Sequence, residues 1–114
     1  MEIYDKEFLV LIVGRNRKRK VFFEEIIYCK ADNTYTTFVM HGAKPVTVSR
    51  PIGEIEDELK SDRFFRISRS VIVNVDRCVE IKTGQKPEIL VSNNDKLVPE
   101  RKHLVELEKR MFGL

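Results

Sequence analysis

The sequence predicts a mainly β domain flanked by two short helices, and three features of the chain carry that reading. β-branched and aromatic residues gather in short runs, turn-forming residues separate those runs, and only two segments keep a helical period. A length of 114 residues with 42% hydrophobic and 34% charged residues fits one globular domain spanning 1–114, large enough to bury a core.

EFLVLIV (7–13) and VFF (21–23) are β-prone and flank a turn at Gly14 to Arg17, so a first hairpin is expected with the basic run RNRKRK (15–20) at its tip. IIYCKA (26–31) and TYTTFVM (34–40) flank Asp32-Asn33, two residues that tolerate turn conformations, which predicts a second hairpin. A short strand, PVTVS (45–49), follows. In PIGEIEDELK (51–60), Ile52, Ile55 and Leu59 share a helical face, with Ser49 as the expected N-cap and Pro51 in the first turn. FFRI (64–67), VIVNV (71–75), CVEIK (78–82), EILV (88–91) and KLV (96–98) read as strands. Leu104, Leu107 and Met111 then predict a closing helix that ends before Gly113. Phe22, Ile26, Val71, Val73, Ile81 and Leu104 are the expected core.

An enzyme needs a nucleophile with a base, paired carboxylates in a cleft, a metal cluster or a phosphate cradle, and none is legible. His41 and His103 have no Cys, Asp or Glu at a ligand spacing, the five glycines form no nucleotide-binding loop, and Ser68, Ser70 and Ser92 lie in no GxSxG context. The chain is therefore read as a non-enzyme with no cofactor, no metal and no small-molecule substrate. Phe8 to Val13 is too short an apolar run for a signal-peptide core or a membrane span, which points away from membranes and to the cytoplasm. Cys29 and Cys78 show no paired spacing and are read as free thiols, both buried as small hydrophobes.

A net charge of +3 says little about partners, but its distribution says more. Arg63, Arg66 and Arg69 recur every third residue beside an apolar strand in RFFRISRSVIVNVDRCVEI (63–81). Phe65, Ile67, Val71, Val73 and Val75 keep one alternating parity, with Arg66, Ser68, Arg69, Ser70 and Asn74 between them. Arg69, held between two serines at the break in the apolar runs, suits bidentate hydrogen bonding to guanine, and Ser70 suits a phosphate oxygen.

These residues resemble a known family. FFRISRSVIVNV followed by DRCVEI is similar to the signature of LytTR DNA-binding domains. EEIIYCKADNTYTTFVM (24–40) resembles the family's strand pair, PIGEIEDELKSDRF (51–64) its helix leading into the signature, and PERKHLVEL (99–107) its closing helix. The four segments occur in the family's order and cover about residues 10–110.

The resemblance implies an elongated domain of small antiparallel sheets with short flanking helices, used by bacterial transcription regulators related to two-component systems. It implies sequence-specific binding of double-stranded DNA by loops in successive major grooves, with two copies on repeated half-sites. Carried onto this chain, the contacting positions are Asn33 and Tyr35 in the second hairpin, Arg69 and Ser70 in the signature, and Arg101 or Lys102 at the last helix. An arginine there suits guanine and a lysine suits phosphate, which leaves the two open.

The chain departs from the family pattern at two places. Ser68 stands where most members have histidine, and the usual serine at the last helix falls on Pro99 or Glu100, where a glutamate repels phosphate. These departures favour the alternative function, a β-rich protein-interaction module that has lost DNA binding. Tyr35 reads equally as a half-buried strand aromatic. Single-strand binding ranks lower, because it needs exposed stacking aromatics and only Tyr35 and Phe38 are candidates.

Overall fold

The structure, a computed structural model, describes residues 7–113. Ten strands form three antiparallel sheets. β1 (Phe8–Gly14) and β2 (Arg17–Phe22) make a two-stranded ribbon. β3 (Ile26–Asp32), β4 (Tyr35–Met40) and β5 (Val46–Val48) join β6 (Phe64–Ser68) and β7 (Val71–Asn74) in a central sheet of order β5-β4-β3-β7-β6. β8 (Cys78–Lys82), β9 (Glu88–Val91) and β10 (Lys96–Leu97) make the third. α1 (Ile52–Glu58) lies between β5 and β6, and α2 (Leu104–Phe112) closes the chain. Together they form a slab of 47 × 41 × 24 Å.

The central sheet is covered on both faces, and strand alternation sorts its side chains between two cores. On one face Cys29, Phe38 and Ile72 pack with Leu9, Leu11 and Val21 of the ribbon and with Ile52 and Ile55 of α1. On the other, Tyr28, Ile67, Val71 and Val73 pack with Ile89 and Val91 of the third sheet and with Leu107 of α2. The parity expected for Phe65, Ile67, Val71, Val73 and Val75 holds, because all five lie on this second side. A chain of this composition thus uses one sheet twice, and β7 is buried along its whole length.

Two-faced burial explains several departures from the sequence reading. Asn74, expected among the polar positions, is 1% exposed. Its amide donates to the carbonyls of Phe23 (3.3 Å) and Ile26 (2.8 Å), and its side-chain oxygen accepts from the Asp76 backbone N–H at 3.0 Å. A buried polar group is tolerated when it is so satisfied. Phe38 is fully buried and offers no stacking surface, whereas Phe22 and Ile81 are only half-buried because they sit on the outer sheets. Cys29 is buried as expected and burial pushes its thiol up; Cys78 is half-buried, and burial followed by the charge of Asp76 pushes its thiol up to about 12.

Local boundaries differ in two further places. The turn of the first hairpin takes only Arg15 and Asn16, Asn16 with φ of 58°, so Arg17 to Lys20 lie within β2 rather than at a tip. The N-cap of α1 is Pro51, not Ser49, with an extended backbone and no side-chain cap. Pro51 lacks the N–H that a helix start leaves unpaired, and its fixed φ suits that position. α2 begins one turn later than its basic residues, since Arg101–His103 form a 3-10 turn, and it stops at Gly113, whose left-handed φ of 69° admits glycine without strain.

Candidate nucleic-acid interface

The pairing of the central sheet brings the sequence-predicted residues to one end of the molecule. β3 runs antiparallel to both β4 and β7, so the Asn33-Thr34 turn and the Arg69-Ser70 turn leave the sheet at the same end. The Ala31 N–H donates to the Ser70 carbonyl at 2.8 Å and joins the two turns at their roots. On the opposite flank of β6, the Glu100 N–H donates to the Ile67 carbonyl at 2.8 Å. That bond satisfies the edge of the sheet and holds the start of the closing helical segment beside the signature turn. Asn33, Tyr35, Arg69, Ser70, Arg101 and Lys102 therefore sit on three adjoining segments, all exposed.

Asn33 has φ of 56°, a left-handed conformation that its short polar side chain accepts, and it tightens the turn ahead of Tyr35. Tyr35 is 51% exposed, so it is not the half-buried strand aromatic of the alternative reading. It projects on the sheet side opposite Thr36, which is fully buried and whose hydroxyl donates to the Arg50 carbonyl at 2.7 Å.

Arg69 occupies a two-residue turn with Ser70, closed by the pairing of Ser68 with Val71. No ion pair or hydrogen bond engages its guanidinium among the described residues, whereas its backbone is held firmly. Arg66 donates from Nε to the Ser68 carbonyl (3.1 Å) and from Nη2 to the Arg69 carbonyl (2.5 Å). Its Nη1 meets Glu56 of α1 at 2.6 Å. The Ser70 N–H is 3.3 Å from the Ser68 hydroxyl, so the serine that replaces the family's histidine supports the turn. Arg66 is a residue bracing the candidate site that the sequence did not single out. Its three-residue spacing to Arg69 suggested a shared basic patch, while the strand bulge between Arg66 and Ser68 turns it back onto the loop.

At the closing segment the two open candidates differ. Arg101 donates to the carbonyls of Gly84 (2.9 Å) and Gln85 (3.0 Å), so its fork is occupied in holding the loop between β8 and β9. Lys102 is 74% exposed at its side chain, with the Glu100 carboxylate 3.7 Å away. Glu100 also lies 3.5 Å from His103 Nε2, and the His103 ring stands edge-on to Phe65 at 5.5 Å. The glutamate that stood as an obstacle to anion binding therefore faces basic partners of its own segment.

Between the signature turn and β10 runs an open groove of about 430 Å³. Lys30, Ser68, Ser70 and Lys96 line it together with Tyr28 and Asp95. The Tyr28 hydroxyl donates to Asp95 Oδ2 at 2.8 Å, as does the Asn93 amide at 3.0 Å. Burial, then the hydrogen bond to Asp95 and its charge, push the Tyr28 phenol up to about 12. Among the described residues no group of three or more His, Cys, Asp or Glu side chains could hold a metal ion, and no helix is long and apolar enough to cross a membrane.

Comparison with known proteins agrees with this architecture. The chain is similar to a solved LytTr DNA-binding domain from Bacillus cereus, with a TM-score of 0.74 at 22% sequence identity, over 95% of this chain and 99% of that one. No curated protein sequence matches it. The LytTr DNA-binding domain family matches residues 16–112. With the three-sheet fold and the order of its loops in place, the chain belongs to the LytTr family of DNA-binding domains.

Proposed function

We propose that this single domain binds double-stranded DNA in a sequence-specific manner and acts as a bacterial transcription regulator in the cytoplasm. Loop side chains do the reading: Asn33 and Tyr35 with Arg69 and Ser70 form one cluster, and Lys102 at the closing segment supplies another cation. The observation that supports this reading most strongly is the signature turn. A guanidinium without an internal partner stands on a backbone clamped by a second arginine, and that combination of free side chain and fixed base is what bidentate guanine recognition needs. Ser70, beside it, suits a phosphate oxygen that sets register.

Lys102 is assigned to the DNA and Arg101 to internal bracing, because a guanidinium holding two carbonyls has its donors engaged. Each protomer would place its loops in successive major grooves and lie across the minor groove between them, with two copies on repeated half-sites. The energetic role of the protein is readout and positioning, and it needs no cofactor.

Selection of random duplexes by the purified protein tests the proposal. Recovery of a consensus containing guanine, repeated at a fixed spacing, is the expected result. Absence of enrichment at low salt would contradict it and favour a protein-interaction module instead.

A further inference from the structure

We infer that the groove between the signature turn and β10 is a seat for the DNA phosphodiester backbone, with Lys30 and Lys96 as its cationic walls. The inference rests on the DNA-binding reading and deepens it, because neither lysine is among the residues assigned to reading bases. Three observations carry it. Lys30 and Lys96 come from different sheets, β3 of the central one and β10 of the third, yet both line one groove. Neither makes an ion pair or a side-chain hydrogen bond among the described residues, although Asp95 lines the same groove and Glu80 and Glu88 line a neighbouring one with Lys96. Finally, the hydroxyls of Ser68 and Ser70 line the same space, and hydroxyl donors beside ammonium groups are a common chemistry for phosphate oxygens.

The one carboxylate of the groove offsets one of the two lysine charges and leaves the lining net positive. The Asp95 carboxylate accepts from the Tyr28 hydroxyl and the Asn93 amide, which ties it into the wall and stiffens the junction between the two sheets. The groove is open, its aromatic residue Tyr28 is buried rather than presented for stacking, and its lining contains no glycine. Its position is the stronger argument for a polymer: Ser68 and Ser70 flank Arg69 itself, so a strand whose base is met by Arg69 passes its phosphate along this wall. Each lysine there releases one condensed counterion, and the affinity it supplies is blind to sequence.

Binding of the selected duplex and of a scrambled one is measured against salt for the wild-type protein and for the double variant Lys30→Gln/Lys96→Gln. The slope of log K against log salt is expected to become shallower by about 0.9 per lysine, about 1.8 in all, while the ratio of the two affinities stays as in the wild type. The variant Lys30→Arg/Lys96→Arg keeps the charge and should keep the wild-type slope. A wild-type slope in the glutamine variant overturns the inference and leaves the DNA-binding reading intact. Loss of both duplexes by the wild-type protein overturns the reading itself. Backbone resonances of Lys30 and Lys96 identify the source of the phosphate: they should shift with duplex and not with inorganic phosphate at the same phosphate concentration. Equal shifts with both would overturn assignment to the polymer.

Discussion

The Arg66 guanidinium donates to the backbone carbonyl of Arg69 at 2.5 Å, so one arginine of the signature holds the turn that presents the other. The same fork reaches the Ser68 carbonyl and Glu56, which couples the turn to α1. Bracing of this kind limits the conformations Arg69 must surrender when it docks, and pre-organisation is where affinity is gained most cheaply.

Replacing Arg66 should therefore act on DNA recognition without touching DNA. Arg66→Ala is expected to reduce discrimination between cognate and scrambled duplexes by about tenfold, about 1.4 kcal/mol. Arg66→Lys should rescue little, because an ammonium cannot span two carbonyls and a carboxylate as a planar fork does. Fluorescence anisotropy with both duplexes measures the ratio. Loss of the ratio accompanied by faster amide exchange at residues 68–70 identifies positioning as the cause.

Arg101 and Lys102 are neighbours with separate tasks. Arg101→Ala should speed hydrogen exchange in the loop at residues 83–87, since the Gly84 and Gln85 carbonyls lose their donor, and should leave DNA affinity nearly unchanged. Lys102→Ala should weaken duplex binding and leave that loop as protected as before. Exchange and binding measured on both variants check the division.

Asn74 serves stability. Its buried amide closes the end of β7 against the segment at Phe23 and Ile26, and Asn74→Ala removes the 2.8 Å donor of the Ile26 carbonyl and the longer of the two bonds to the Phe23 carbonyl, which keeps the Ile26 backbone N–H. A loss of about 1–3 kcal/mol is expected in urea unfolding, with little change in slope against denaturant. Asn74→Asp should cost at least as much, because it trades an amide donor for a charge in a buried site.

The Tyr28–Asp95 contact makes stability sensitive to alkali. The native phenol is raised from 10.0 to about 12, so it stays protonated where the unfolded chain has begun to ionise. The unfolded state then binds fewer protons, and stability falls as pH rises from about 10 towards about 12. Tyr28→Phe should remove the phenolate absorbance change at about pH 12 and flatten this decline, at a cost of about 1 kcal/mol near neutral pH.

Much of this architecture was legible in the chain. Period-two runs located the strands, Asn33 and the Arg69-Ser70 break located the turns, and the leucines at 104 and 107 located the closing helix. What alternation does not encode is whether both faces of a sheet are covered. Hence Asn74 and Phe38 read as open positions although the sheet buries them, and Phe22 and Ile81 read as core although their sheets are outer ones. The residues of the candidate site were identified by type and segment. Which of them are free was not, because side-chain partners such as the Gly84 carbonyl for Arg101 lie distant along the chain. Arg66 was obscured by a bulge, a feature of strand register that leaves no mark in composition.

The central claim is that the unpartnered guanidinium of Arg69 reads a base. It is tested most directly by measuring Arg69→Ala on the selected duplex and on a scrambled duplex at one salt concentration. Cognate binding is expected to weaken by about 1–3 kcal/mol while scrambled binding is nearly unchanged. An equal loss on both duplexes, or none on either, would contradict it.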